Sequence, residues 1–156
     1  MELIDNVGFF GPIILFGFGV YRLRTRRIYL IIYVIFFVLN GLLNRVLKIW
    51  IREPRPDNPQ FINEYDVSDG AEQYGMPSGH AQSVAYSVMF LFLATGSVRI
   101  LTGTLFLSAL TIYQRWAYHR HTETQLGVGA FIGSVVGIVA FWCRGAAAPP
   151  TTILLS

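Results

Sequence analysis

The chain has 156 residues, 53% of them hydrophobic and only 13% charged, and its mean hydropathy is +0.49. A soluble domain carries about 25% charged residues, and here the apolar residues run in long blocks without period-2 alternation, which excludes an ordinary water-soluble domain and points to a membrane. The net charge of +3 comes from local clusters and gives no reason to invoke nucleic acid, and a single cysteine, Cys143, excludes a disulfide framework.

Five apolar blocks follow one another, at 7–21, 28–50, 81–98, 100–117 and 124–143. The first is short and contains Pro12, so it either spans or lies in the interface. The second rises roughly 30 Å between Ile28 and Lys48, about one hydrocarbon core. Glu2 and Asp5 stand where a signal peptide would carry a basic region. The expected fold is an all-α integral membrane protein, a bundle of about five transmembrane helices formed by residues 1–145 as a single domain. Residues 146–156, GAAAPPTTILLS from Gly145 onward, read as a disordered tail.

Between the first two blocks, YRLRTRR places Arg22, Arg24, Arg26 and Arg27 in one short loop, which assigns that loop to the cytoplasm. Alternation then puts the N-terminus, the loop 53–79 and the loop 115–123 outside. The turn GSVR at 96–99 and the tail from Arg144 fall inside, and both are basic, as the rule requires. All three histidines (His80, His119 and His121) therefore gather at the outer face with Lys48, Arg52, Arg55, Arg115 and Arg120. Such convergence predicts a site for an anionic ligand at the extracytoplasmic or lumenal interface.

Three stretches supply that site. KIWIREPRP ends the second block; Lys48 and Arg55 are seven residues apart, two helical turns, and Pro54 and Pro56 stop the helix near Arg52. Taken alone, these cations are also ordinary snorkelling anchors. PSGH at 77–80 opens the third block: Ser78 caps a helix, Gly79 allows close approach of backbone, and free amides at a helix start suit a phosphate. A well-capped helix with a surface histidine fits the same four residues. QRWAYHRHTETQ at 114–125 places Gln125 one turn beyond His121, within reach of its imidazole. His119 and Glu123 form a competing pair of the same spacing, and His119-x-His121 resembles a metal pair that lacks further ligands.

With these stretches in order, the sequence resembles the type 2 phosphatidic acid phosphatase superfamily, marked by K-x6-RP, PSGH and SR-x5-H-x3-D. Lys48, Arg55 and Pro56 match the first motif, Pro77 to His80 the second, and Arg115 with His121 the third; the motifs span 48–125, about half the chain. The register leaves His119 outside the pattern. Gln114 replaces the serine of the third motif and Gln125 its aspartate. The dolichyl-diphosphate phosphatase branch is similar in carrying Gln within HTxxQ, here His121, Thr122 and Gln125, and in a YGMPS stretch, here 74–78.

The resemblance implies a metal-free and cofactor-free lipid phosphatase. His121 would attack phosphorus to give a phosphohistidine, His80 would protonate the leaving oxygen and then activate water, and Gln125 would orient His121. Lys48, Arg55 and Arg115 would clamp the phosphate oxygens, with the Ser78 hydroxyl and Gly79 amide as further donors. The implied partners are a lipid phosphate or diphosphate and the bilayer, and the implied compartment is the endoplasmic reticulum with a lumenal site. Three rivals stand beside a polyisoprenyl diphosphate substrate: phosphatidic acid, lysophospholipid or sphingoid phosphate hydrolysis; a non-catalytic lipid-phosphate binder, favoured by Gln125; and vanadate haloperoxidase chemistry, disfavoured by the apolar blocks. Gly129, Gly133 and Gly137 read as a helix-packing face. Asn40 and Asn44 read as interhelical bonding residues, with a substrate role the lesser reading, and Asp57, Glu64, Asp66, Asp69 and Glu72 read as a solvated loop, with a lid the lesser reading.

Overall fold

The computed structural model describes residues 2–62, 66 and 70–145. The tail at 146–156 and the acidic residues Glu64 and Asp69 lie outside the described residues. Six α-helices follow in chain order: α1 (Glu2–Phe9), α2 (Gly11–Leu23), α3 (Arg27–Ile51), α4 (Gly79–Thr95), α5 (Val98–Ala117) and α6 (Glu123–Trp142).

The first apolar block is therefore two helices, not one. Pro12 lies in the first turn of α2, where its missing N–H is no loss, and the chain turns at Phe10 with φ −82° and ψ 3°. With 13 residues α2 is about 20 Å long, short of a hydrocarbon core of about 30 Å. Helix α1 packs instead on α5, where a methyl on Gly8 would meet the Gln114 side chain at 2.9 Å.

Among the described residues two helices, α3 and α6, are long and apolar enough to cross a membrane, with mean hydropathies of 2.1 and 1.8 over 18 residues. Only 17% of that stretch of α3 is buried, so it is no core helix of a soluble protein. It turns Ile31, Ile35, Val38, Leu42, Val46 and Trp50 outward, a continuous apolar face that belongs in lipid.

Helix α4 is the hub, packed on α2, α3, α5 and α6. Its closest partner is α6, because Gly129, Gly133 and Gly137 are buried and leave room for the α4 backbone; methyl groups there would meet the carbonyl oxygens of Ser78, Gln82 and Tyr86 at 2.5, 2.0 and 2.9 Å. Toward α3 the contact is aromatic and polar: Tyr86 donates to the Tyr33 carbonyl at 2.8 Å, and the Tyr33 hydroxyl meets Ser87 Oγ at 2.9 Å. On α5 the buried Thr104, Ser108 and Thr111 satisfy their hydroxyls on carbonyls four residues back, at 2.8, 2.8 and 3.0 Å.

One end of this bundle gathers the arginines. Arg26 donates to the Ala94 carbonyl at the end of α4 (2.7 Å), and Arg144 stacks over Phe141 (4.0 Å). The motif residues gather at the opposite end.

Candidate active site

Helix ends build the site. α3 stops where Arg52 adopts a left-handed conformation (φ 55°) and returns its N–H to the Lys48 carbonyl, just ahead of Pro54 and Pro56. Pro54 and Tyr74 then bridge antiparallel, and Gly75 N–H donates to the Glu53 carbonyl at 2.8 Å, which draws the YGMPS stretch onto the end of α3. Ser78 caps α4 by accepting from Ala81 N–H, and Thr122 caps α6 in a reciprocal box with Gln125. Beneath the turn, Asn44 Nδ2 donates to the Pro77 carbonyl (3.1 Å) and to Gln82 Oε1 (2.8 Å), and Gln82 Nε2 donates to Asn40 Oδ1 (2.8 Å). The interhelical role read for Asn40 and Asn44 is what the structure gives them.

His121 has a defined tautomer. Its Nδ1 faces two acceptors, the Gly75 carbonyl at 2.9 Å and Gln125 Oε1 at 3.3 Å, so Nδ1 carries the proton. Nε2 is left with its lone pair and lies 3.2 Å from Arg55 Nη1. Burial first, then Arg55, Lys48 and Arg115, hold the imidazole well below the usual histidine range, so it is neutral near pH 7. Gln125 is fixed from behind: its Nε2 donates to Glu53 Oε1 and to the Pro54 carbonyl, both at 2.8 Å, while Oε1 accepts Thr122 N–H at 3.2 Å. An aspartate could not make the two donations, which is a physical reason for Gln here. His119 is exposed with φ 52° and stands aside.

A cavity of about 660 Å³ opens in front of His121. Arg55, Gly79, His80, Arg115 and His121 line it, while Lys48, Ser78 and Gln125 stand behind the wall. Arg55 Nε and Nη2 hold the Glu72 carbonyl at 2.9 and 2.7 Å, and Nη1 holds the Arg120 carbonyl at 2.9 Å. Burial and the neighbouring Arg120 pull its pKa down to about 10, which leaves it charged at neutral pH. His80 Nε2 meets the Phe9 carbonyl at 3.1 Å.

The acidic loop is not simply solvated, which corrects the sequence expectation. Asp66 is buried and binds Arg115 at 2.8 and 3.3 Å and Arg120 at 3.0 Å. Glu72 lies between Lys48 Nζ (3.3 Å) and Arg55 Nη2 (3.5 Å). Asp57 is exposed as expected. Sequence reading put Arg120 among the cations of the outer face but not among the phosphate ligands; it is fully buried and lines the cavity. Its signal was the second cation in the HRH stretch, five residues past Arg115. The far wall is apolar, formed by Phe10 at the turn before α2, Pro12 and Ile13 of α2, and Val38 and Leu42 of α3. One cavity thus presents a cationic floor, a neutral imidazole lone pair and a greasy exit toward the exposed face of α3.

The sequence model of the PAP2 superfamily matches residues 29–148. Dolichyldiphosphatase of Saccharomyces cerevisiae is 26% identical over 118 residues, covering 69% of this chain and 48% of the relative. Dolichyldiphosphatase 1 of Rhinolophus ferrumequinum is 30% identical over 145 residues (83% and 58%), and lipid phosphate phosphatase gamma of Arabidopsis thaliana is 26% identical over 142 residues (81% and 58%). The chain spans about half the length of the curated relatives it matches. No solved structure matches it.

Proposed function

The chain belongs to the PAP2 superfamily, and from that premise we propose that it is a multi-pass membrane lipid phosphatase acting on a polyisoprenyl diphosphate such as dolichyl diphosphate. The observation that carries this reading is the His121 Nε2 lone pair, aimed at the Arg55 guanidinium in a cavity with one cationic and one apolar end. The substrate's tail lies between α2 and α3, and its terminal phosphate sits against Arg55, with the Lys48 charge behind it. The site's position at the helix ends opposite the arginine cluster supports an extracytoplasmic location, in the lumen if the membrane is that of the endoplasmic reticulum.

His121 Nε2 forms a bond to phosphorus as the bond from phosphorus to the leaving oxygen breaks. The electron pair leaves on that oxygen and takes a proton from His80. The positive imidazole is stabilised through Nδ1–H by Gly75 and Gln125. Water, deprotonated by His80, then attacks the phosphohistidine and releases phosphate. Arg55, Arg115 and Lys48 neutralise the equatorial oxygens throughout. The dolichyldiphosphatase relatives favour a diphosphate; the lipid phosphate phosphatase relative keeps phosphatidic acid as the comparison substrate.

The test is phosphate release by purified protein in detergent with chelator present, on dolichyl diphosphate and phosphatidic acid, for the native chain and His121→Ala. Release that survives the chelator and vanishes in the variant is expected. No release from either lipid, or undiminished release by the variant, would overturn the reading.

A further inference from the structure

Both groups that hold His121 Nδ1 lead back to one residue. The Gly75 carbonyl accepts the Nδ1 proton at 2.9 Å, and the Gly75 N–H in turn donates to the Glu53 main-chain carbonyl at 2.8 Å. Gln125 Oε1 is the second acceptor, at 3.3 Å, and Gln125 Nε2 donates to Glu53 Oε1 at 2.8 Å. The assembly has little slack, since a methyl added to Gly75 would collide with the Gln125 amide. Glu53 falls at one of the six unspecified positions between Lys48 and Arg55.

Hydrogen bonding alone does not call for a carboxylate there. Any oxygen could hold the Gln125 amide, as the Pro54 carbonyl does at 2.8 Å. Among the described residues no cation stands within ion-pair distance of Glu53, whereas Lys48 and Arg55 are met by Glu72 and Arg115 by Asp66. The Glu53 charge is thus left to act along its bond to Gln125. When Nε2 of His121 bonds to phosphorus, the ring becomes positive and Nδ1–H becomes a stronger donor. A carboxylate behind the amide makes Oε1 a stronger acceptor, so the stabilisation grows as the ring charge grows. No proton passes along this line, because an amide neither gives up nor takes on a proton near neutral pH.

We infer that Glu53 is a positioning residue for the phosphoryl step: its main chain sets Gly75, its carboxylate sets and polarises Gln125, and through both it supplies the negative charge that the family motif places directly behind the histidine. This deepens the proposed phosphatase reading and rests on it for the reaction.

Glu53→Gln keeps an oxygen for Gln125 Nε2 and removes only the charge. Two measurements follow it in the full chain, in detergent with chelator at pH 7.5. One is steady-state phosphate release from dolichyl diphosphate; the other is calorimetric binding of orthovanadate beside orthophosphate. Vanadate accepts the Nε2 lone pair and becomes five-coordinate with no change of oxidation state, so it reports the developing ring charge without turnover. Glu53→Gln should lower kcat about ten- to hundredfold, less than the roughly 10⁴-fold cost of neutralising a carboxylate that touches its histidine directly. KM and melting midpoint should stay nearly unchanged. Vanadate should weaken to a similar extent as kcat falls, and orthophosphate hardly at all. In a Gln125→Met background the same substitution should change neither kcat nor vanadate affinity, since the connection is already cut.

Native kcat and native vanadate affinity in Glu53→Gln, an equal loss of vanadate and orthophosphate, an undiminished effect in the Gln125→Met background, or a native chain that binds no vanadate would overturn the inference. A vanadate affinity that depends on Glu53, in a chain that releases no phosphate from lipids, would uphold the role of Glu53 and sink the phosphatase reading alone.

Discussion

Replacing Gly133 by alanine tests whether the α4–α6 contact positions the catalytic turn. The added methyl would stand 2.0 Å from the Gln82 carbonyl oxygen, where ordinary contact begins at 3.4 Å. The obstacle is backbone and cannot rotate away, so the helices must part by 3.4 − 2.0, about 1.4 Å. One turn up α4, Ser78 N–H donates to the Gln125 carbonyl across the same contact at 3.1 Å, and that parting stretches the bond out of hydrogen-bonding range. Overpacking costs about 1–3 kcal/mol and the lost bond about 1 kcal/mol, together a fall of roughly 5–15 °C in melting midpoint for a chain of this size. A displacement near 1 Å at the PSGH turn should lower phosphate release on the order of a hundredfold. Gly127→Ala is the control on the same helix: it is exposed with nothing within 4 Å of the added methyl, and its effect should stay within about 0.5 kcal/mol. Melting in detergent and phosphate release at saturating lipid read both variants. Gly133→Ala with native melting and native turnover would refute the argument.

Gln125→Glu should harm the protein even though it restores an acidic residue where the family motif has one. The two donations to Glu53 and Pro54, each 2.8 Å, disappear and a carboxylate comes to face a carboxylate, a loss on the order of 2 kcal/mol measurable by melting; a more stable or faster variant would show that Glu53 is not its partner. Acid should destabilise the native fold through His121. Its folded pKa is held below the ordinary 6.5 by burial and then by Arg55, so the unfolded chain binds the proton first, stability is full above about pH 6.5, and it declines as pH falls below that. Melting at pH 7.5 and 5.5 should therefore drop less in His121→Gln than in the native chain, and equal drops would contradict the assignment.

What the sequence made legible was local or periodic. The membrane character follows from composition, and the outward apolar face of α3 bears it out. Ser78 was readable as a cap because capping is a contact over three residues, and Gly129, Gly133 and Gly137 as a packing face because a four-residue repeat lies on one helix face. The K-x6-RP, PSGH and R-x5-H spacings put Lys48, Arg55, His80, Arg115 and His121 at one end of the bundle, where the structure has them. The break at Phe10 was less legible, since an apolar run with one proline is compatible with a single helix or with two. Asp66 was illegible for a different reason. Its partner Arg115 is 49 residues away, and no local pattern tells a loop carboxylate that reaches a buried guanidinium from one left in water.

Gln125 shows why a motif departure need not mean a dead site. In the family motif the residue is acidic and lies directly behind the histidine. Here the neutral amide occupies that place, with its Oε1 at 3.3 Å from His121 Nδ1 and its Nε2 at 2.8 Å from Glu53. The negative charge has moved one residue back along a hydrogen-bonded line. A carboxylate accepting from Nε2–H polarises the amide and makes Oε1 a better acceptor. On the proposed chemistry, charge developing on His121 is thus felt by Glu53 through Gln125.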